Sequence, residues 1–221
     1  MNNFFHEESK INMRFVDLSH PMVHGQQTFP MDPKLSIVPH GTTKTLRYNI
    51  SQIVMSSHQG THLDAMYHFL DEGKTIDQMP LEWFFGAAYV VRIPKRAKEE
   101  ITIDDLKPFD AFFTPEAKII YETGWHKHFG EDNFFSEFPS LTQEAARYIA
   151  SKNIRMLGMD TPTPGNDWYE LHHDILLPKE IVIVEGLANL DLIPDKFTFI
   201  GFPLNFKGRD GSPIRAVAMV E

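Results

Sequence analysis

His58-Gln59-Gly60-Thr61-His62-Leu63-Asp64, with His68 four positions further on, is the stretch on which the reading of this chain turns. Three histidines and an aspartate fall within eleven positions, although the whole chain spreads only 11 histidines over 221 residues. Divalent metals bind neutral imidazole nitrogens and ionised carboxylates, and a tight bend lets near neighbours converge on one ion. Gly60 supplies such a bend without a Cβ penalty. His58 and His62 have the spacing that shares one helix face. Gly60 and the β-branched Thr61 between them favour a strand-to-loop turn instead. Asp64 can bind one ion through a single oxygen or bridge two through both, and paired ions about 3.5–4 Å apart form a recognised hydrolytic arrangement. His68 lies beyond the ligands, free to carry protons.

A second candidate segment is Leu171-His172-His173-Asp174-Ile175-Leu176-Leu177, followed by the strand-like Ile181-Val182-Ile183-Val184-Glu185. Glu185 closes an apolar run. A buried carboxylate is costly unless it is paired or bound to a cation, so either metal binding or a hydrogen-bonded structural role is expected there. His6, His20, His24, His40, His126 and His128 are read as ordinary surface or satisfied core residues, with His20 and His24 placed to line a pocket mouth.

Composition narrows the chemistry. The chain is 42% hydrophobic and 23% charged, without a low-complexity tract or an apolar run of membrane-spanning length. Its 21 basic and 30 acidic residues give a formal charge of -9, and no basic cluster stands out, which argues against nucleic acid as a partner. There is no cysteine, so thiolate metal sites, disulfides and cysteine nucleophiles are excluded. Any metal must use His, Asp or Glu. That set suits zinc or manganese and leaves iron and cobalt open. The first residues lack the basic start and apolar stretch of a secretory signal, and a cytoplasmic protein is expected.

Residues 1–14 are read as an N-terminal arm and 15–221 as one continuous domain, because the breaks at Phe29-Pro30-Met31-Asp32-Pro33 and Thr161-Pro162-Thr163-Pro164-Gly165 are only loop-length. Apolar runs at Ala87 to Ile93, Lys118 to Tyr121, Met156 to Met159, Ile181 to Glu185, Phe197 to Phe202 and Ala216 to Val220 read as buried strands. Leu141 to Ser151 reads as the best helix, with Ser140 and Gln143 at capping-box spacing, and Asp104 to Leu106 as a shorter helical turn. Strands outnumber helices without strict alternation. An α/β or α+β fold with a mixed sheet and helices on one side is expected.

The motif His58-x-Gly-Thr-His62-x-Asp64-x-x-x-His68 resembles the hallmark of the cyclase-like metal-dependent hydrolases, which include bacterial kynurenine formamidases and isatin hydrolases. The resemblance extends through Asp17-Leu18-Ser19-His20-Pro21, Thr123-Gly124-Trp125, Leu157-Gly158-Met159-Asp160-Thr161 and Glu185-Gly186-Leu187-Ala188-Asn189-Leu190, from about Phe15 onward. It implies the swivelling β/β/α fold, a homo-oligomer built from dimers, and one or two divalent ions. It places His58, His62 and Asp64 on one ion, with Asp64 bridging to a second held by His173 and by Glu185 twelve positions later. His172 is the competing choice. By position His68 inherits the role of proton donor and acceptor, and Phe29, before Pro30, lines the substrate pocket. The chain departs from the family at Met66 and Met31, both positions that shape a pocket.

The reaction so implied is hydrolysis of an amide by metal-activated water, with N-formylkynurenine first, an isatin-like cyclic amide second and a polyketide-type cyclisation third. Phe29, and with it Trp83 or Trp125, offers a ring to an aryl substrate. The non-enzymatic alternative is a closed structural metal site. His68 discriminates, since a complete ligand set needs no additional histidine.

Overall fold

The computed structural model describes residues 13–221. Thirteen strands run in chain order as β1 (Arg14–Asp17), β2 (Ser36–Gly41), β3 (Ile50–Val54), β4 (His62–Asp64), β5 (Phe85–Arg92), β6 (Glu100–Ile101), β7 (Lys118–Glu122), β8 (Ser140–Leu141), β9 (Met156–Met159), β10 (Val182–Glu185), β11 (Lys196–Ile200), β12 (Gly211–Pro213) and β13 (Val217–Val220). Nine of them form one mixed sheet in the order β1-β13-β11-β5-β7-β9-β10-β4-β12. Its centre, β5-β7-β9-β10, is parallel, and antiparallel strands flank it on both sides. All six expected strands lie in this sheet within one or two residues of the boundaries read from sequence. The arm expected over residues 1–14 falls almost wholly outside the described residues, and Arg14 already belongs to β1.

Period-2 alternation sorts the central strands onto two cores. Val90, Ile120, Val182 and Val184 face one cluster with Leu18, Leu63, Phe199 and Ala218. Val91, Ile119, Leu157 and Ile183 face the other, which is covered by the helix Gln143–Ser151 and by Leu171, Ile175 and Leu176. The helices therefore pack on one side, as the pattern anticipates. No helix among the described residues is long and apolar enough to cross a membrane.

The main helix begins two residues later than its capping-box reading. Ser140 and Leu141 are drawn into β8, which pairs in parallel with β6. The Ser140 hydroxyl accepts from the Asn166 amide at 3.1 Å, and the Leu141 amide donates to Pro164. Thr142 takes over as N-cap, accepting from the Ala145 amide at 3.1 Å. Seven strands escaped the sequence reading: β1, the short β4 and β12, the separate hairpin β2-β3 and the two-residue pair β6-β8. The short strands carry too few residues for an alternation to register, and the hairpin buries almost nothing.

Candidate active site

β4 carries the site. Sandwiched between β10 and β12, it pairs His62 with Glu185 and Asp64 with Ile183 on one side, and Asp64 with Gly211 on the other. Residues two apart on a strand share a face, so His62 and Asp64 project together, and the register sets Glu185 beside them. The chain enters β4 through Gly60 at φ +64°, a left-handed conformation that the following crossing requires. Gly186 crosses there at φ +63°, where a Cβ would lie 2.9 Å from the Gly60 carbonyl oxygen. Thr61 fastens the crossing: its hydroxyl donates to Gly186 O at 2.6 Å and accepts from the His20 amide at 3.0 Å.

Four buried side chains converge there. His62 Nε2 lies 3.3 Å from Glu185 Oε2 and 3.5 Å from Asp64 Oδ1, and His172 Nε2 lies 3.4 Å from both Asp64 Oδ2 and Glu185 Oε1. His58 Nδ1 stands 2.8 Å from Asp64 Oδ1. His68 stacks on the His58 ring with centroids 3.8 Å apart, and its side chain makes no hydrogen bond among the described residues. Potential ligand atoms of His58, Asp64 and His68 lie within 4.8 Å of one another, as do those of Asp64, His172 and Glu185; the two groups share Asp64.

His172 occupies the place expected of His173. The segment Leu171–Leu176 is π-helical, a form frequent at functional sites, and it buries Leu171, His172, Ile175 and Leu176 on one face. His173 turns outward, stacks on Tyr169 at 4.9 Å and pairs with Asp174 at 2.7 Å. The structure thus brings His172, the competing choice, into the cluster and leaves the expected His173 outside it. Four-residue spacing in the sequence does not choose between them, since His172 recurs with Leu176 and His173 with Leu177, both of which are buried.

Electrostatics match a cation site. Burial pushes the Asp64 carboxyl up, but His172 and His58 outweigh it and hold it well below the usual range. Burial and the Asp64 charge raise Glu185, and His172 and His62 outweigh them, leaving it lowered. Both carboxylates are thus ionised. Burial alone would depress His58 and His172, yet the carboxylates beside them bring these imidazoles up to about 10 and about 9. His68 goes the other way, down to about 4, chiefly through burial, with His58 and His172 adding to it against Asp64. An imidazole lowered in this way favours its uncharged form at pH 7.

The donor set fits a divalent ion. His62 Nε2, Asp64 Oδ2, His172 Nε2 and Glu185 Oε1 are all buried without a hydrogen-bond partner among the described residues. Buried polar atoms are ordinarily satisfied, and four such orphans converging from three chain segments match the imidazole and carboxylate ligands of divalent metals.

Above the cluster lies a cavity of about 160 Å³. Phe29, Phe69, Phe135 and Trp168 are among its walls, and Phe29 meets Trp168 and Phe135 edge-on at 6.4 and 6.3 Å. Phe29 reaches the pocket of its own chain. Trp168, unremarked in the sequence, takes the place anticipated for Trp83 or Trp125. Trp83 carries Arg155 over its ring at 4.2 Å, and Trp125 is a core residue donating to Phe134 O at 3.0 Å. Met31 lines the pocket, whereas Met66 is buried in the core. Neither His20 nor His24 reaches the mouth: His20 stacks behind Phe129 at 3.7 Å, and His24 Nδ1 accepts from the Ile37 amide at 3.0 Å.

Buried imidazole and carboxylate donors beneath an aromatic-walled pocket, on a curled mixed sheet, define a metal-dependent hydrolase. The chain belongs to the Cyclase family, whose model matches residues 16–165. Over 208 residues it is 30% identical to a kynurenine formamidase of Bacillus thuringiensis (strain Al Hakam), covering 92% of this chain and 96% of that one. Isatin hydrolase A from Labrenzia aggregata, solved with benzyl benzoate, superposes with a TM-score of 0.81 at 27% identity over 94% of each chain. A structure described as a potential metal-dependent hydrolase with cyclase activity gives 0.80 at 25% identity, over 95% of this chain and 98% of that one.

Proposed function

We propose that this protein hydrolyses the carbon–nitrogen bond of an N-formyl aryl amine of the N-formylkynurenine kind, releasing the amine and formate. The observation that carries the reading is the convergence of His62, Asp64, His172 and Glu185, with unpartnered donor atoms, beneath an aromatic-walled cavity that also holds a neutral histidine. The likeness to kynurenine formamidases supports a formamide substrate over other amides.

One or two divalent ions, zinc or manganese by donor type, are held in this reading by His58, His62, Asp64, His172 and Glu185. When bound, such an ion lowers the pKa of a water and polarises the scissile carbonyl. His68 accepts the proton that water loses as it adds to the formyl carbon. The same ring nitrogen then delivers the proton to the aryl nitrogen as the carbon–nitrogen bond breaks, a role that suits an imidazole free of other hydrogen bonds. Phe29 and Trp168 hold the aryl ring, and the apolar walls limit the water around the reacting carbonyl.

Turnover of N-formylkynurenine, measured with and without a chelator, tests the proposal. Chelator-sensitive release of formate is expected. The likeness to isatin hydrolase A supports a second reading, ring opening of a cyclic aryl amide, and isatin in the same assay decides between the two. Turnover of neither substrate by metal-loaded protein would leave the polyketide-type cyclisation as the enzymatic reading.

The active unit in this proposal is a homodimer in the cytoplasm, where a chain with no cysteine needs no oxidising compartment. The β2-β3 hairpin supports the dimer. It stands apart from the main sheet with Val38, Tyr48, Ile50, Ile53 and Val54 exposed, and an isolated two-stranded hairpin is marginal in water. Lys44 and Arg47 lie between its strands and residues 36–54 include no acid, while the chain as a whole carries -9, so a second copy offers the complementary surface. Light scattering should show a dimer that Ile50→Lys with Ile53→Lys converts to monomer. A wild-type monomer, or a dimer indifferent to the two lysines, refutes this arrangement.

A further inference from the structure

Three imidazoles of the cluster, His58, His62 and His172, are each anchored through one ring nitrogen and offer the other to the site. His62 Nδ1 lies 2.9 Å from Gly60 O, and His172 Nδ1 lies 2.5 Å from Trp168 O, so both present Nε2. His58 is turned the opposite way. Its Nδ1 faces Asp64, and its Nε2 lies 2.7 Å from Oδ2 of Asp210, a residue outside every motif recognised in the sequence.

Asp210 is itself held in place. Ser57 Oγ donates to the same Oδ2 at 2.8 Å, and the Asp210 carbonyl accepts from the Ala65 amide at 2.8 Å, which ties it to the residue following Asp64. Next to it, a Cβ built on Gly211 would lie 2.7 Å from His58 Cε1 and 2.8 Å from Leu63 O. The His58 ring therefore lies against bare backbone, with His68 stacked on it. Of the three anchored imidazoles, His58 alone is anchored by a carboxylate, since backbone carbonyls hold the other two.

We propose that Asp210 is a positioning residue that fixes His58 as the Nε2–H tautomer, so that Nδ1 serves as ligand to the ion it shares with Asp64. This rests on the metal-dependent reading above. A carboxylate behind a ligating histidine sets its tautomer and ring orientation and raises its basicity, and removing such a partner typically weakens metal binding about 10–100-fold. The side chains of Asp64, His172 and Glu185 make no hydrogen bond or ion pair with Asp210 among the described residues, and that group should keep its affinity.

The test is titration of metal-free protein with zinc alone, in competition with a chelating dye, for wild type and for Asp210→Asn, Asp210→Ala and Asp210→Glu. Wild type should take up zinc. The Asn and Ala variants should lose about 10–100-fold in affinity for one ion while retaining native circular dichroism, and the Glu variant should recover part of that loss. Proton NMR of the zinc form should show a slowly exchanging ring N–H of His58 in wild type and its disappearance in Asp210→Ala. Wild-type affinity and an unchanged ring proton in the Asn and Ala variants would overturn the assignment. A wild-type protein that takes up no zinc would overturn the metal-dependent reading itself, and this inference with it.

Discussion

Glu185, the last residue of β10, stands in register with His62, the first residue of β4, and His62 Nε2 lies 3.3 Å from Glu185 Oε2 although 123 residues separate them in the chain. The antiparallel pairing of two short strands brings together the paired motif and the lone carboxylate. His172 then closes the group from the π-helical segment.

Alanine at His62 or His172 should therefore remove metal and activity together, while His173→Ala should leave both near wild type, because that ring faces Tyr169 and Asp174 on the surface. Elemental analysis of the purified variants reads this directly. Metal loss in His173→Ala with retention in His172→Ala would restore His173 as the ligand.

His68→Ala should lower kcat by about 10²–10⁴-fold, the usual contribution of a positioned proton-transfer group, with metal content close to wild type. The ring makes no hydrogen bond among the described residues and is held neutral, so its loss removes a base without unpairing a partner. An emptied metal site in this variant would make His68 a ligand instead.

Phe29→Ala and Trp168→Ala should raise KM for an aryl formamide while leaving metal uptake intact. Aromatic pairs contribute about 0.5–1.5 kcal/mol beyond area burial, so a rise of about 2- to 12-fold is expected for each. A short aliphatic formamide should be affected much less. Equal effects on both substrates would argue that the rings shape the loop and do not contact the aryl group.

Acid sensitivity should trace in part to His20. Burial against Phe129, with His126 nearby and Asp160 opposing, lowers this imidazole from 6.5 to about 4. The folded state then resists a proton that the unfolded chain accepts. Its contribution is fully present above pH 6.5 and is lost progressively as the pH falls toward 4. Thermal melts of wild type and His20→Phe should show wild type losing stability relative to the variant between pH 7 and pH 4.5. Parallel curves would remove His20 from the account.

Arg92→Ala should destabilise the fold without touching the site. The guanidinium donates to Asp195 at 2.9 Å, Leu190 O at 3.1 Å and Ile193 O at 2.6 Å, and pairs with the largely buried Glu122. Its removal leaves two carboxylates, one of them largely buried, and two carbonyls short of donors, a loss of about 2–3 kcal/mol, or on the order of 4–12 °C in Tm for a chain of this length. Arg92→Lys should recover only part of it, since one ammonium cannot reproduce the fork.

Local chemistry makes much of this protein legible in its sequence. Clustering of His58, His62 and Asp64 marks a metal site because few other arrangements call for those residue types so close together. The central strands declare themselves by length and apolar composition, since both of their faces are buried. Helix Gln143–Ser151 is visible in its periodicity, but its start is not. Ser140 and Thr142 are both competent caps, and only the pairing of β8 with β6, together with the Ser140–Asn166 hydrogen bond, chooses between them.

What the sequence by itself determined is the kind of chemistry: residue types set which atoms can ligate, titrate or stack, and local spacing set which of them travel together. Tertiary structure alone decided the membership of the site. His172 displaced His173 because Leu171, Ile175 and Leu176 must bury one face of their segment, and that face carries one histidine and not its neighbour. Asp210 became a partner of His58, and Trp168 a partner of Phe29, across sequence separations of 152 and 139 residues. Contacts of that range depend on strand register and loop packing, which are properties of the whole core and leave no mark in the residues immediately around them.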